Sequence, residues 1–225
     1  MKKTLVTTLL MAACLAMSAQ NHIWHWFKHG NGNGENEGVQ VAFDHEYNTY
    51  YLGHFTDTMV IDSVELVSNG QTDFYLAKYN HYGEMEWIKQ FGNYSYDRAY
   101  GIVADSNNDI IITGKFVEAI SFDNIEVSSR GFYDLFVAKF NQDGEAIWAK
   151  SAGGLGHEQG SDIAVDDKGD IYLTGFFTKR MFFDYFKLVS DDFDETFNIF
   201  IAKYDSSGVF QWAKKADGPS GIFST

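Results

Sequence analysis

Carboxylates and aromatic rings are the side chains of this sequence with the most chemistry to offer. Asp97 and Glu158 each follow a tryptophan (Trp87, Trp148) by ten positions, and Asn36 holds the same place after Trp26, flanked by Glu35 and Glu37. Oxygen ligands converging from such positions could hold a hard cation such as calcium. The asparagine removes one charge from that ring, and a position recurring in a repeat normally serves the repeat, here by accepting backbone N–H groups or pairing with a lysine. A second group is Tyr94, Tyr96, Phe193 and Phe197, whose rings suit stacking on a carbohydrate, with the acidic run Asp191, Asp192, Asp194 and Glu195 alongside. These are the candidate ligand contacts. Asp105–Asp109 and Asp166–Asp170 faintly resemble calcium loops but lack the length and the bidentate Glu, so they read as capped hairpin turns. His22, His25 and His29 cluster near the N-terminus, yet on a strand His22 and His25 point to opposite faces, which argues against a shared metal.

Covalent catalysis has no recognisable seat. The sequence contains no Gly-x-Ser-x-Gly elbow, no His-Glu-x-x-His pair and no phosphate loop. A chain with 31 acidic residues will bring some pair to the separation used in glycoside hydrolysis, so a polysaccharide hydrolase or lyase stays as the alternative. The expectation is a non-enzymatic binding module needing no cofactor. A net charge of −14 argues against a nucleic-acid phosphate binder and against an anionic membrane surface, both of which call for a basic face.

The elements that must position these residues follow from an internal repeat. Trp26, Trp87 and Trp148 are spaced by 61 and 61, Trp212 follows after 64, and each is followed two positions later by a lysine. In the same register lie Asp44, Asp105 and Asp166; Gly53, Gly114 and Gly175; Phe55, Phe116 and Phe177; then Asp62, Asp123 and Asp184. A fixed period of this size implies stacked supersecondary units. Within copy two, Gly101–Asp105 and Ile110–Phe116 flank an Asn/Asp turn, and Leu135–Phe140 and Ala146–Lys150 flank an Asn-x-x-Gly turn. Two such hairpins per repeat make a four-stranded antiparallel blade, so the expected fold is all-β and propeller-like. The segments 56–72, 117–133 and 178–197 read as long variable loops on the face opposite the tight turns, where binding usually resides.

Residues 1–19 have the basic start, short apolar stretch and small-residue exit of a signal peptide, too short to span a bilayer. A lipoprotein processed at Cys14 is the minority alternative. Loss of Lys2 and Lys3 with this leader leaves 15 basic against 31 acidic residues, a net of −16, and no cysteine. Residues 20–225 then form one repeat domain, with copies at about 26–86, 87–147 and 148–211 and the start of another at 212–225.

Through these columns the chain resembles the bacterial secreted β-propeller repeat family of the seven-bladed type, across Trp26 to Lys214. The matching segments in copy two are Gly-Ile-Val-Ala-Asp, Ile-Ile-Thr-Gly-Lys-Phe, Asp-Leu-Phe-Val-Ala-Lys-Phe-Asn-x-Asp-Gly and Ile-Trp-Ala-Lys. The resemblance implies an exported propeller, secreted or at the cell surface, with no activity assigned to the family as such. Three copies are fewer than the roughly four to eight blades of a closed ring, so an incomplete ring is expected, from a truncated frame or an array completed by self-association. The expected partner is an extracellular glycan or protein.

Overall fold

Runs of β-branched and aromatic residues, cut by Asn, Asp and Gly turns, give an all-β architecture in the computed structural model, which describes residues 30–190 and 196–216. Three antiparallel four-stranded meanders follow one another. The first is β2 (Asn36–Phe43), β3 (Thr49–Phe55), β6 (Asp73–Tyr79) and β7 (Met85–Phe91); the second is β8 (Arg98–Ala104), β9 (Ile110–Phe116), β12 (Asp134–Phe140) and β13 (Ala146–Gly154). The third is β14 (Glu158–Val165), β15 (Ile171–Phe177), β18 (Asn198–Tyr204) and β19 (Phe210–Lys215). These are the expected blades, and their first strands β2, β8 and β14 pack side by side.

The segments expected to be loops are not wholly so. Each holds a short hairpin: β4 (Thr58–Ile61) with β5 (Val64–Val67), β10 (Ala119–Phe122) with β11 (Ile125–Ser128), and β16 (Arg180–Phe183) with β17 (Phe186–Val189). Period-two burial explains them: Met59 and Ile61, Ile120 and Phe122, Met181 and Phe183 are buried, while Val60 and Ser121 between them are exposed. Each two-residue turn opens on an aspartate with positive φ, Asp62, Asp123 or Asp184.

These hairpins reach back to the preceding strand. The end of β13 pairs with β16 (Gly153 with Phe182, Gly154 with Met181), and β1 (Gly30–Gly32) pairs with β4 in the same way. A Cβ on Gly154 would lie 1.8 Å from the Arg180 carbonyl oxygen, and one on Gly32 2.3 Å from that of Thr58. Only glycine permits that approach. The equivalent position between the first two blades is Asn93, whose side-chain amide instead donates to the Val117 and Ala119 carbonyls at 2.6 and 2.8 Å.

Side chains close the blade junctions. Phe74 and Leu76 of the first blade meet Ile102, Phe116 and Phe136 of the second, and Leu135 and Val137 of the second meet Ile163, Leu173 and Phe200 of the third. Trp87 and Trp148 seat on Gly144 and Gly208, the turn glycines of the next blade, and Trp87 Nε1 donates to the Gln142 carbonyl at 3.0 Å. Trp87 and Trp148 are therefore packing residues. Asp44, Asp105 and Asp166 each accept backbone N–H bonds from residues two and four positions on, as expected of capped turns. Lys139 lies 2.7 Å from Asp105 and 3.1 Å from Asp109; burial alone would lower its pKa, but these two bonds more than offset that and raise it.

Candidate functional site

The tight turns lie at one end of the blades, and the first strands begin at the other. There Asp97 and Glu158 are both fully buried. Asp97 accepts from the Asn93 N–H at 2.7 Å and the Val117 N–H at 3.1 Å, while its own N–H donates to the Thr72 carbonyl. Glu158 accepts from the Gly154 N–H at 2.7 Å and its N–H donates to the Tyr133 carbonyl. Beside them are two more buried carboxyls, Asp73 and Asp134, at equivalent places in the first and second blades. Asp134 lies so close to Gly153 that a Cβ there would sit 2.1 Å from its Cγ.

Burial dominates the protonation of this group, because a carboxylate loses water that the few N–H donors do not replace. It pushes Glu158 up to about 8, with Asp134 adding to the rise, and Asp97 up to about 6, with Asp73 adding. Burial likewise holds Asp134 at about 6. Near neutral pH Glu158 keeps its proton. No group of three or more His, Cys, Asp or Glu is placed to hold a metal ion among the described residues.

Above Glu158 opens a pocket of about 240 Å³ lined by Lys115, Tyr133, His157, Glu158, Phe176 and Phe197. These side chains come from strand ends of the second and third blades. The Lys115 ammonium lies 4.7 Å from the Tyr133 ring centroid and 5.7 Å from that of Tyr100. His157 stacks on Phe132 at 5.2 Å, and Phe197 meets Phe176 edge-on at 4.8 Å. Burial, and then the neighbouring Arg98 charge, lower the Lys115 pKa.

Of the residues singled out from sequence, Glu158 and Phe197 line this pocket. Tyr96 and Asp97 adjoin its Tyr133 wall, where burial and then the Tyr96 and Asp97 charges raise the phenol pKa. Tyr94 stands apart, exposed, with its hydroxyl donating to the Glu118 carboxylate. Asp191, Asp192, Phe193 and Asp194 lie outside the described residues, as do His22, His25 and His29. Lys115, Tyr133, His157 and Phe176 were not anticipated. A signal existed: between the constant Gly and Phe of the second strand the three copies carry His54, Lys115 and Phe176, and before the third strand they carry Thr72, Tyr133 and Phe197.

No family model matches the chain. Over 127 residues, 53% of its length, the chain is 23% identical to an uncharacterized WD repeat-containing protein of Acanthamoeba polyphaga mimivirus. A propeller-type repeat module is what fold and likeness share. The match spans 9% of that relative's length. No helix among the described residues is long and apolar enough to cross a membrane.

Proposed function

We propose that the chain is an exported, non-enzymatic propeller-type module that binds an extracellular glycan through the pocket above Glu158. One observation carries this reading: the constant columns of the repeat are consumed by packing and turn capping, whereas the pocket is walled by residues from columns that differ between copies. Its walls are aromatic, which suits the apolar face of a sugar ring. Export rests on the leader-like residues 1–19, with anchoring through Cys14 as the alternative, and accords with the resemblance to secreted bacterial propeller repeats. Glycan-array screening followed by calorimetry tests the reading. Phe197→Ala and Tyr133→Ala, which remove two lining rings, are each expected to weaken binding about tenfold, the scale of one ring contact. Full affinity in both variants would remove the site.

Glu158 favours a second reading, since a protonated carboxyl lining a pocket is the form a general acid takes. Polysaccharide turnover by the purified chain, abolished by Glu158→Gln, would establish a hydrolase or lyase and defeat the module. Self-association draws support from Val41, Ile199 and Ile201, which are 49%, 36% and 40% exposed although their repeat equivalents Ile102, Leu135 and Val137 are buried between blades. Light scattering that shows only monomer would count against it.

A further inference from the structure

The glycan reading leaves unaccounted for a pair of cations at the edge of the site, Lys115 in the pocket lining and Arg98 beside it. Arg98 and Lys115 are directly opposed partners in the β8–β9 ladder, and like charges so placed destabilise a sheet. Both are half-buried, and neither lies within ion-pair distance of a carboxylate among the described residues, although the chain carries a net charge of −14. Elsewhere the lysines find acids readily: Lys78, Lys89, Lys139 and Lys203 each have one at 2.6–2.8 Å. The repeat itself does not require the cation pair. In the same ladder position the first blade opposes Glu37 to His54, joined at 2.9 Å, and the third opposes Gln159 to Phe176. Three copies thus fill one slot with an acid and a histidine, with two cations, and with an amide and a ring.

We propose that Arg98 and Lys115 receive the carboxylate of an acidic sugar, a uronic-acid residue whose ring lies in the pocket between Tyr133, Phe176 and Phe197. This rests on the glycan-binding reading and deepens it. An anion arriving here offsets the repulsion between the two cations, and a guanidinium offers a planar fork matched to a carboxylate. Tyr100 and Tyr133 hold the Lys115 ammonium by their ring faces, so no protein carboxylate has to be displaced. Glu158 is the one acid among the described residues lining the pocket, and burial raises its pKa to about 8, so near neutral pH it does not repel the ligand. At about 240 Å³ the pocket is smaller than the roughly 300–1,000 Å³ that drug-sized ligands occupy, which limits it to about one ring.

The test is calorimetry of the purified chain with trimers of galacturonate, mannuronate and glucuronate, set against neutral galactose and glucose trimers and against dextran sulfate. At least one uronate should bind at least tenfold more tightly than its neutral counterpart, and more weakly as salt rises. Arg98→Gln and Lys115→Gln should each remove that preference, so that the uronate binds no more tightly than its neutral counterpart. Arg98→Lys, which keeps the charge but loses the fork, should weaken uronate binding by severalfold. Equal binding of neutral and acidic trimers, indifferent to these substitutions, would overturn the inference and leave the glycan reading standing. Binding of dextran sulfate but of no uronate would overturn the carboxylate assignment, and no binding of any saccharide would overturn both readings.

Discussion

Glu158 makes the stability of this protein depend on pH in a direction opposite to that of most acidic residues. In the unfolded chain its carboxyl titrates near 4.5, and in the fold near 8, so between these values the folded state holds a proton that the unfolded state has lost. Stability must then fall as pH rises, by about 1.4 kcal/mol per pH unit for one proton. Between pH 6 and pH 8 the loss from this residue is about 2 kcal/mol, the slope flattening as Glu158 itself ionises. Asp97 and Asp134, both near 6, add to the fall at lower pH. His54 acts in the opposite sense, because burial and Arg98 lower its pKa and the unfolded imidazole binds its proton first; its effect fades above its unfolded value of 6.5. Urea denaturation followed by tryptophan fluorescence from pH 5.5 to 8.5 measures the curve. In Glu158→Gln, which keeps an oxygen for the Gly154 N–H, the decline between pH 6.5 and 8 should vanish, and the difference from wild type cancels the His54 contribution. A wild-type curve that is flat or rising over that range, or an unchanged slope in Glu158→Gln, would refute the assignment of a buried, protonated Glu158.

Three further perturbations probe the packing and turns around the site. Gly153→Ala should cost at least about 2 kcal/mol in denaturant unfolding, because its Cβ would meet the Asp134 carboxyl, and Asp134→Ala in the same chain should recover part of the loss. Trp148→Ala should cost about 3 kcal/mol by removing the ring that covers Gly208, measured by chemical denaturation with circular dichroism. Lys139→Met should cost about 3 kcal/mol by stranding the buried Asp105 beside Asp109, measured by urea denaturation at pH 7.

The blades were legible in the sequence because their strands are long, alternate or run apolar, and end on Asn, Asp and Gly. The added hairpins were not read, since strands of four residues joined by Asp-Ser, Asp-Asn or Asp-Tyr carry little local signal. Their regularity was nonetheless present, in the column of Asp62, Asp123 and Asp184 that the period preserves. Glu158 and Phe197 were reachable as chemically capable residues in segments between blade strands. Lys115 was hidden by its setting: it sits inside a strand, between Gly114 and Phe116, where alternation suggests only a sheet position. What makes it part of a site is the adjacency of two blades, and that distance is fixed by the packing of Leu135 and Val137 against Ile163 and Leu173, not by any local pattern.

The two ways of closing a blade junction give the array an uneven seam. Where glycine stands at the end of the outer strand, two backbones meet and a ladder crosses from one blade to the hairpin of the next; where Asn93 stands, a side-chain amide with rotatable bonds makes the crossing. A breathing motion can swing an amide aside without breaking any strand, whereas parting β13 from β16 requires both backbones to move. The second and third blades are therefore tied by a backbone ladder where the first and second are tied by a side-chain amide, while buried packing spans both junctions. The pocket above Glu158 is built across the junction that carries the backbone ladder, so the register of β13 against β16 helps set the spacing of its walls.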